Sequence, residues 1–142
     1  MIVYLDASVV LRRVLGQAGA LREWRLVRTP ISSRLTELEC LRTLDRLRLE
    51  SVLEEKKLAA AREAIYTVVA SFEIVELTRT ILTRAALPSP TSLGTLDAIH
   101  LASALTWRER TGRSLTMATH DGALALSARA QGIKTIGVVA GG

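Results

Sequence analysis

The sequence predicts an α/β fold, with a mostly parallel central sheet and helices on both faces. Short runs rich in β-forming residues alternate along the chain with longer segments of helical pattern. The first run, residues 2–5, is apolar throughout, which is typical of a strand buried on both faces. Alternating strands and helices form βαβ units, and these build parallel sheets. The length of 142 residues fits a single domain, residues 1–142.

Five strands are predicted in order. Residues 2–5 end at an aspartate, and 30–33 are closed by two serines. Residues 72–77 carry spaced isoleucine, valine and leucine, and 114–118 follow a glycine that ends a helix. Residues 134–139 form a last apolar strand.

Seven helices are predicted from apolar spacing and from glycine or proline stops. Leucines at every third position define the helix over 35–49 and are expected to lie on one stripe. Two prolines and a glycine mark 87–95 as a loop. The predicted helices cover 8–15, 18–27, 35–49, 52–70, 78–86, 96–110 and 122–130.

Composition excludes several classes of function. The net charge of +5 favours polyanionic partners, and the 4% aromatic content argues against binding single strands by base stacking. The single cysteine, Cys40, excludes a disulfide framework and is expected to be packed. No apolar run reaches the length of a membrane span, and no signal peptide is evident, so a cytoplasmic protein is expected.

Four carboxylates stand where predicted strands lead into helices, or in the first turns of helices. In a parallel sheet these positions converge on one edge, where like charges repel unless a cation neutralises them. Carboxylate oxygens select Mg²⁺ or Mn²⁺, which can assist attack of water on a phosphodiester. The four residues are Asp6, Glu39, Asp97 and Asp121.

Taken singly, each acid has a purely structural interpretation. Asp6 and Asp121 could cap helices, since aspartate accepts backbone N–H groups there. Asp97 could complement the positive end of its helix, with Thr95 as the cap.

Glu39 has two local interpretations. It could close a capping box with Thr36, or pair with Arg42 three residues further on. The intramolecular ion pair is the expected role of Arg42.

Four segments carry a family resemblance, in order over essentially the whole chain. They are VYLDAS (3–8), SRLT (33–36) followed by Glu39 and Arg42, TLDAIHLA (95–102), and THD (119–121) followed by Leu124. These segments resemble the PIN-domain family, and most closely the VapC toxins of bacterial VapBC toxin–antitoxin systems.

The resemblance implies a three-layer α/β/α sandwich. It also implies a Mg²⁺- or Mn²⁺-dependent endoribonuclease that hydrolyses RNA and is neutralised by a small VapB-type antitoxin. A homodimer with no membrane association is expected.

The resemblance assigns the catalytic site to Asp6, Glu39, Asp97 and Asp121. Of these, Asp6 and Asp97 are expected to ligate the metal directly, and the other two directly or through water. Ser8 and Thr119 match positions that support the acids by hydrogen bonds, with Arg42 as a further supporting residue. Glu37 is the rival of Glu39, but the spacing to Ser33 and Arg42 favours Glu39.

The two histidines are expected to be structural. His100 is predicted to lie near the core and His120 in an exposed loop.

Three other functions are considered. A phosphoacceptor signalling domain usually has paired acids after its first strand and a lysine after its last. Here only Asp6 follows the first strand and Lys134 precedes the last, so this function is disfavoured. A non-catalytic RNA- or protein-binding domain of the same fold stays open. So does a PIN nuclease that matures RNA without an antitoxin.

Overall fold

A computed structural model describes residues 1–138 and shows five strands in one all-parallel sheet. The strands are β1 (Ile2–Leu5), β2 (Thr29–Ser33), β3 (Glu73–Val75), β4 (Thr116–Ala118) and β5 (Lys134–Ile136). The helices are α1 (Ala7–Val14), α2 (Arg34–Leu49), α3 (Glu55–Ala70), α4 (Arg79–Ala85), α5 (Thr95–Thr111) and α6 (Gly122–Ala130), with a 3₁₀ turn at Arg22–Leu26. Within this described part, no helix is long and apolar enough to cross a membrane.

The strand order is β3–β2–β1–β4–β5, and every neighbouring pair is parallel. The chain therefore builds outward from β1 to β2 and β3, and then crosses to the other side of β1 for β4 and β5. The order reverses between β1 and β4, whose register pairs Leu5 with Ala118. Such a reversal leaves a crevice beyond the carboxyl ends of the two strands, where ligands bind in open α/β sheets.

The two cores follow from the alternation of side chains along the central strand. Val3 and Leu5 point into one core, which they share with residues of α1, α2 and α3. Tyr4 points into the other core, between the sheet and helices α4, α5 and α6. Successive residues of a strand face opposite sides of the sheet, so three residues of β1 serve both layers. The predicted α/β/α sandwich is confirmed.

Every predicted strand is present, with shorter limits in three cases. The strand predicted over 72–77 covers Glu73–Val75, and the one over 114–118 covers Thr116–Ala118. The last strand covers Lys134–Ile136, while Val139 lies outside the described residues. The helix predicted over 18–27 is a 3₁₀ turn, and the one over 52–70 begins at Glu55.

The leucine stripe of α2 does not stay on one face. Leu35 and Leu44 are buried, but Leu38 between them is 57% exposed. A step of three residues falls about 60° short of a full turn in a helix of 3.6 residues per turn, so the row spirals around the axis. Leucine spacing therefore predicted the helix correctly but not its buried face.

Two of the predicted helix caps are wrong. Helix α2 is capped by Ser33, whose Oγ accepts from the backbone N–H of Leu35 at 3.1 Å. Thr36 is therefore inside the helix, where its hydroxyl bonds that of the buried Ser32. Helix α5 has Gly94 at its N-cap position and no side-chain cap, so Thr95 is its first helical residue.

Gly137, just after β5, is held in a backbone conformation that favours glycine. Its φ is +101°, and a Cβ on this residue would lie 2.5 Å from the carbonyl oxygen of Thr119. The backbone after β5 thus packs directly on the backbone after β4, and any side chain would force the two apart.

We therefore expect Gly137→Ala to lose about 1–3 kcal/mol of stability, because it combines backbone strain with a backbone clash. Gly122→Ala is the matched control. Gly122 is the first residue of α6, and a Cβ there would meet nothing within 4 Å. Urea unfolding of both variants measures the difference. Equal midpoints for Gly137→Ala and the parent would contradict this account.

Candidate active site

The structure brings the four predicted acids to the crevice at the order reversal. Asp6 directly follows β1, and Asp121 follows β4 by three residues. Glu39 reaches the site from α2 and Asp97 from the first turn of α5. Burial raises the pKa of Asp97, and the negative charges of Asp121, Asp6 and Glu39 raise it further.

Asp6 is the most firmly held of the four. Its side chain is buried and accepts three hydrogen bonds. Oδ1 accepts from the Ser8 hydroxyl at 2.6 Å and the Val9 backbone N–H at 3.1 Å, and Oδ2 accepts from the Thr119 hydroxyl at 2.5 Å. Ser8 and Val9 belong to the first turn of α1, and Thr119 directly follows β4, so the fold fixes all three donors. The carboxylate therefore has one orientation.

The same hydroxyls tie the loop after β4 to Asp6. The Ser8 Oγ accepts from the backbone N–H of His120 at 3.1 Å, and the Thr119 Oγ1 accepts from that of Asp121 at 3.0 Å. Asp121 in turn caps α6 through its Oδ1, which accepts from the Leu124 N–H at 3.0 Å. The hydrogen bonds expected from Ser8 and Thr119 are therefore present, and both end on Asp6.

Glu39 does not pair with Arg42, which corrects the predicted ion pair. Its Oε1 lies 2.5 Å from Nε2 of His100, on α5. Arg42 turns outward and contacts Asp45 at 3.3 Å, with 71% of its side chain exposed. The buried imidazole offers Glu39 a partner shielded from water, while Arg42 has an exposed carboxylate one turn along its own helix.

Helix α2 separates Glu39 from its rival, Glu37. Glu39 lies against α5 and acts on the charge of Asp97. Glu37 acts electrostatically on Arg34 and Cys40. Two residues along a helix differ by about 200° in direction, so both glutamates cannot face one site.

The pKa of Asp97 is raised above its ordinary value. Burial, followed by the negative charges of Asp121, Asp6 and Glu39, raises its pKa from 3.8 to about 6. Burial disfavours the charged form, and neighbouring carboxylates add repulsion. A carboxylate destabilised in this way is a candidate functional group, because a bound cation would relieve both costs.

Tyr4 and His100 form a contact that sequence reasoning missed. His100 is buried, as predicted, but its Nδ1 lies 2.7 Å from the Tyr4 hydroxyl and its Nε2 meets Glu39. A tyrosine inside an otherwise apolar strand was the available signal, since a buried phenol normally finds a hydrogen-bond partner.

His120 is not the exposed loop residue that was predicted. It is partly buried, and its Nδ1 lies 2.8 Å from the carbonyl oxygen of Gly137. Its position follows from the close packing of the chain after β5 on the chain after β4. Cys40 is packed as predicted, and burial raises the pKa of its thiol to about 12, so it is unreactive.

The donor chemistry of the site fits a hard divalent cation. All four side chains offer carboxylate oxygens, which Mg²⁺ and Mn²⁺ prefer, and their charges are mutually repulsive. Asp6 and Glu39 already hold hydrogen bonds, and Asp121 caps a helix. As the side chains stand within residues 1–138, no three His, Cys, Asp or Glu residues form a closed metal-binding group.

Three solved structures share the fold over nearly the whole chain. A toxin–antitoxin complex from Klebsiella pneumoniae is 18% identical with a TM-score of 0.64, covering 96% of this chain and 95% of that one. FitAB bound to an IR36 DNA fragment is 16% identical with a TM-score of 0.70, covering 95% and 94%. VapBC2 from Rickettsia felis, bound to promoter DNA, is 12% identical with a TM-score of 0.64, covering 96% and 98%.

The family follows from the sequence itself. No curated protein sequence matches the chain significantly. The family model of the PIN domain matches residues 3–134, which include all four acids and the whole of strands β2, β3 and β4. The chain belongs to the PIN domain family.

Proposed function

We propose that the protein is a Mg²⁺- or Mn²⁺-dependent endoribonuclease of the VapC toxin type. PIN domains are generally nucleases that use divalent metal ions. The observation that carries the proposal is the set of four carboxylates at the β1–β4 crevice, where burial and the charges of the other three raise the pKa of Asp97. The net charge of +5 favours a polyanionic substrate, and RNA is the substrate proposed here.

The proposed roles follow from how each acid is held. Asp6, fixed by three donors, and Asp97, destabilised by its neighbours, are the proposed direct ligands. Glu39 and Asp121 ligate directly or through water and orient the attacking water molecule. When bound, the cation would activate water and stabilise negative charge on the phosphate oxygens. Ser8 and Thr119 keep Asp6 oriented.

We also propose a small VapB-type antitoxin as the partner. Three exposed leucines, Leu38, Leu49 and Leu96, line a groove of about 500 Å³ that also includes Glu39. Exposed apolar surface of this kind marks interaction sites. A partner seated there would cover one of the four acids, and the structures with the same fold include toxin–antitoxin complexes. The homodimer stays a prediction.

Cleavage of RNA should require a divalent cation. We expect the purified protein to cut total RNA with Mg²⁺ or Mn²⁺ and to lose all activity in excess chelator. Attack by water should leave 5′-phosphate and 3′-hydroxyl ends, which mapping of the cut sites will reveal. Undiminished cleavage in chelator, or cyclic phosphate ends, would overturn the proposal. A protein that binds RNA without cutting it under any condition would support the non-catalytic alternative.

The two glutamates of α2 provide a matched pair. Glu39→Gln should lower the rate of RNA cleavage by more than about 100-fold, since even outer-shell partners of a metal typically cost 10–100-fold. Glu37→Gln makes the same chemical change two residues away and should leave the rate within about threefold, because Glu37 does not act on the site. The reverse pattern would mean that Glu37 is the functional residue.

Asp97→Asn should abolish cleavage without lowering stability in chelator. The pKa of Asp97 is raised in the native state, from 3.8 to about 6, so the native state binds this proton more readily than the unfolded state does. The parent therefore loses stability as pH rises through this window, and the uncharged asparagine does not. The advantage of Asp97→Asn over the parent should grow from pH 4 to pH 7, measured by urea unfolding.

In Mg²⁺ the parent should become more stable than Asp97→Asn. A hundredfold excess over the dissociation constant should stabilise the parent by about 2.7 kcal/mol and Asp97→Asn much less. Asp45→Asn is the control, because arginines lower the pKa of Asp45 and its loss should not raise stability. If Asp97→Asn instead loses about 0.3–1 kcal/mol in chelator and keeps its Mg²⁺ response, Asp97 is only a helix-terminal charge.

A further inference from the structure

Three side chains from three different elements form a continuous hydrogen-bonded chain below the acids. The Tyr4 hydroxyl of β1 lies 2.7 Å from Nδ1 of His100 on α5, and Nε2 of His100 lies 2.5 Å from Oε1 of Glu39 on α2. Tyr4 is completely buried and His100 is 1% exposed, whereas 19% of the Glu39 side chain remains exposed. The chain therefore runs from the core to the edge of the site.

The chemistry of the partners fixes the direction of both bonds. An ionised carboxylate has no proton to donate, so Nε2 of His100 must carry the proton shared with Glu39. A neutral imidazole has one protonated nitrogen, which leaves Nδ1 as an acceptor for the Tyr4 hydroxyl. Burial raises the pKa of Tyr4 well above its usual value, so the phenol keeps the proton that it donates.

We propose that Tyr4 holds His100 in its Nε2–H tautomer and that His100 thereby positions the Glu39 carboxylate at the acidic site. His100 is a positioning residue, because it acts through Glu39. The role of Glu39 in cleavage rests on the proposed function, but the hydrogen-bonded chain does not.

Two observations separate this role from ordinary packing of a buried histidine. First, the chain ends on a carboxylate whose charge acts on Asp97, not on a closed network within the core. Second, among the described residues His100 is the one side chain that hydrogen-bonds Glu39, because Arg42 pairs with Asp45 instead. Without His100, no side chain in residues 1–138 would hydrogen-bond Glu39.

The tautomer can be read from ¹⁵N chemical shifts of the imidazole rings. The sequence has two histidines, and His120 serves as an internal reference, because its Nδ1 faces the Gly137 carbonyl and must carry a proton. At neutral pH we expect His100 to show a protonated Nε2 and an unprotonated Nδ1. Tyr4→Phe should shift the His100 Nδ1 signal, because that nitrogen loses its hydrogen-bond donor, and should leave the His120 signals unchanged. A doubly protonated His100, or no response to Tyr4→Phe, would overturn the proposal.

The positioning of Glu39 can be followed without any metal. In protein with ¹³C-labelled glutamate, the side-chain carboxyl signal of Glu39 should move in Tyr4→Phe and in His100→Leu. Ile65→Val is the control for general loosening, since Ile65 is fully buried in the other core and touches none of the three residues. A Glu39 signal that moves equally in Ile65→Val would show that the chain is merely structural.

Metal binding and cleavage give the functional readout. We expect the Mg²⁺ concentration for half-maximal binding, measured by calorimetry, to rise about 10- to 100-fold in His100→Leu and about 10-fold in Tyr4→Phe. His100→Gln keeps a donor near the position of Nε2 and should stay within about threefold of the parent. Equal losses in His100→Gln and His100→Leu would contradict a positioning role. If the parent neither binds metal nor cuts RNA, the proposed function fails, while the NMR measurements still decide the hydrogen-bonded chain.

Discussion

The repulsion among carboxylates gathered beyond β1 and β4 is the constraint on which the surrounding structure depends. Burial of Asp97 and the like charges around it both disfavour its charged form in the native state and raise its pKa. Three of the four are tied to donors that the fold supplies. Asp6 has three donors, Glu39 has an imidazole, and Asp121 has a helix N-terminus. Within the described residues, Asp97 has the fewest hydrogen-bond donors of the four, and its pKa is raised.

The structural and functional interpretations of the acids turn out to describe one geometry. Asp6 and Asp121 are both helix N-caps, and Asp97 lies in the first turn of α5. In a parallel sheet the helices start where the strands end, so their positive N-termini point at the same crevice. Each favourable helix-end interaction contributes about 0.3–1 kcal/mol, which offsets part of the repulsion. A cap at this edge is therefore also a charge available to a cation.

Much of the fold was predictable because it depends on local pattern. Residues 2–5 and 122–130 needed only apolar runs and glycine stops, and the places of Asp6 and Asp121 follow from strand ends. The partner of Glu39 was not predictable, since it depends on how α2 and α5 pack across the sheet, 61 residues apart in sequence. The buried face of α2 failed for a similar reason: three-residue spacing describes a spiral row, and tertiary packing decides which part of it is covered.

Among the described residues, the arginines of α2 are in ion pairs, whereas those from α1 to β2 are not. On α2, Arg42, Arg46 and Arg48 are in ion pairs along the helix. Within residues 1–138, no ion pair holds the arginines of the segment that leads from α1 to β2, which are Arg12, Arg13, Arg22, Arg25 and Arg28. That segment starts on the helix capped by Asp6, and its single acid is Glu23. Unpaired cations attract a polyanion, whereas paired ones beside exposed leucines favour an apolar partner. Under the proposed function, the RNA substrate would therefore approach the acids mainly along α1 and the segment after it, and the antitoxin along α2.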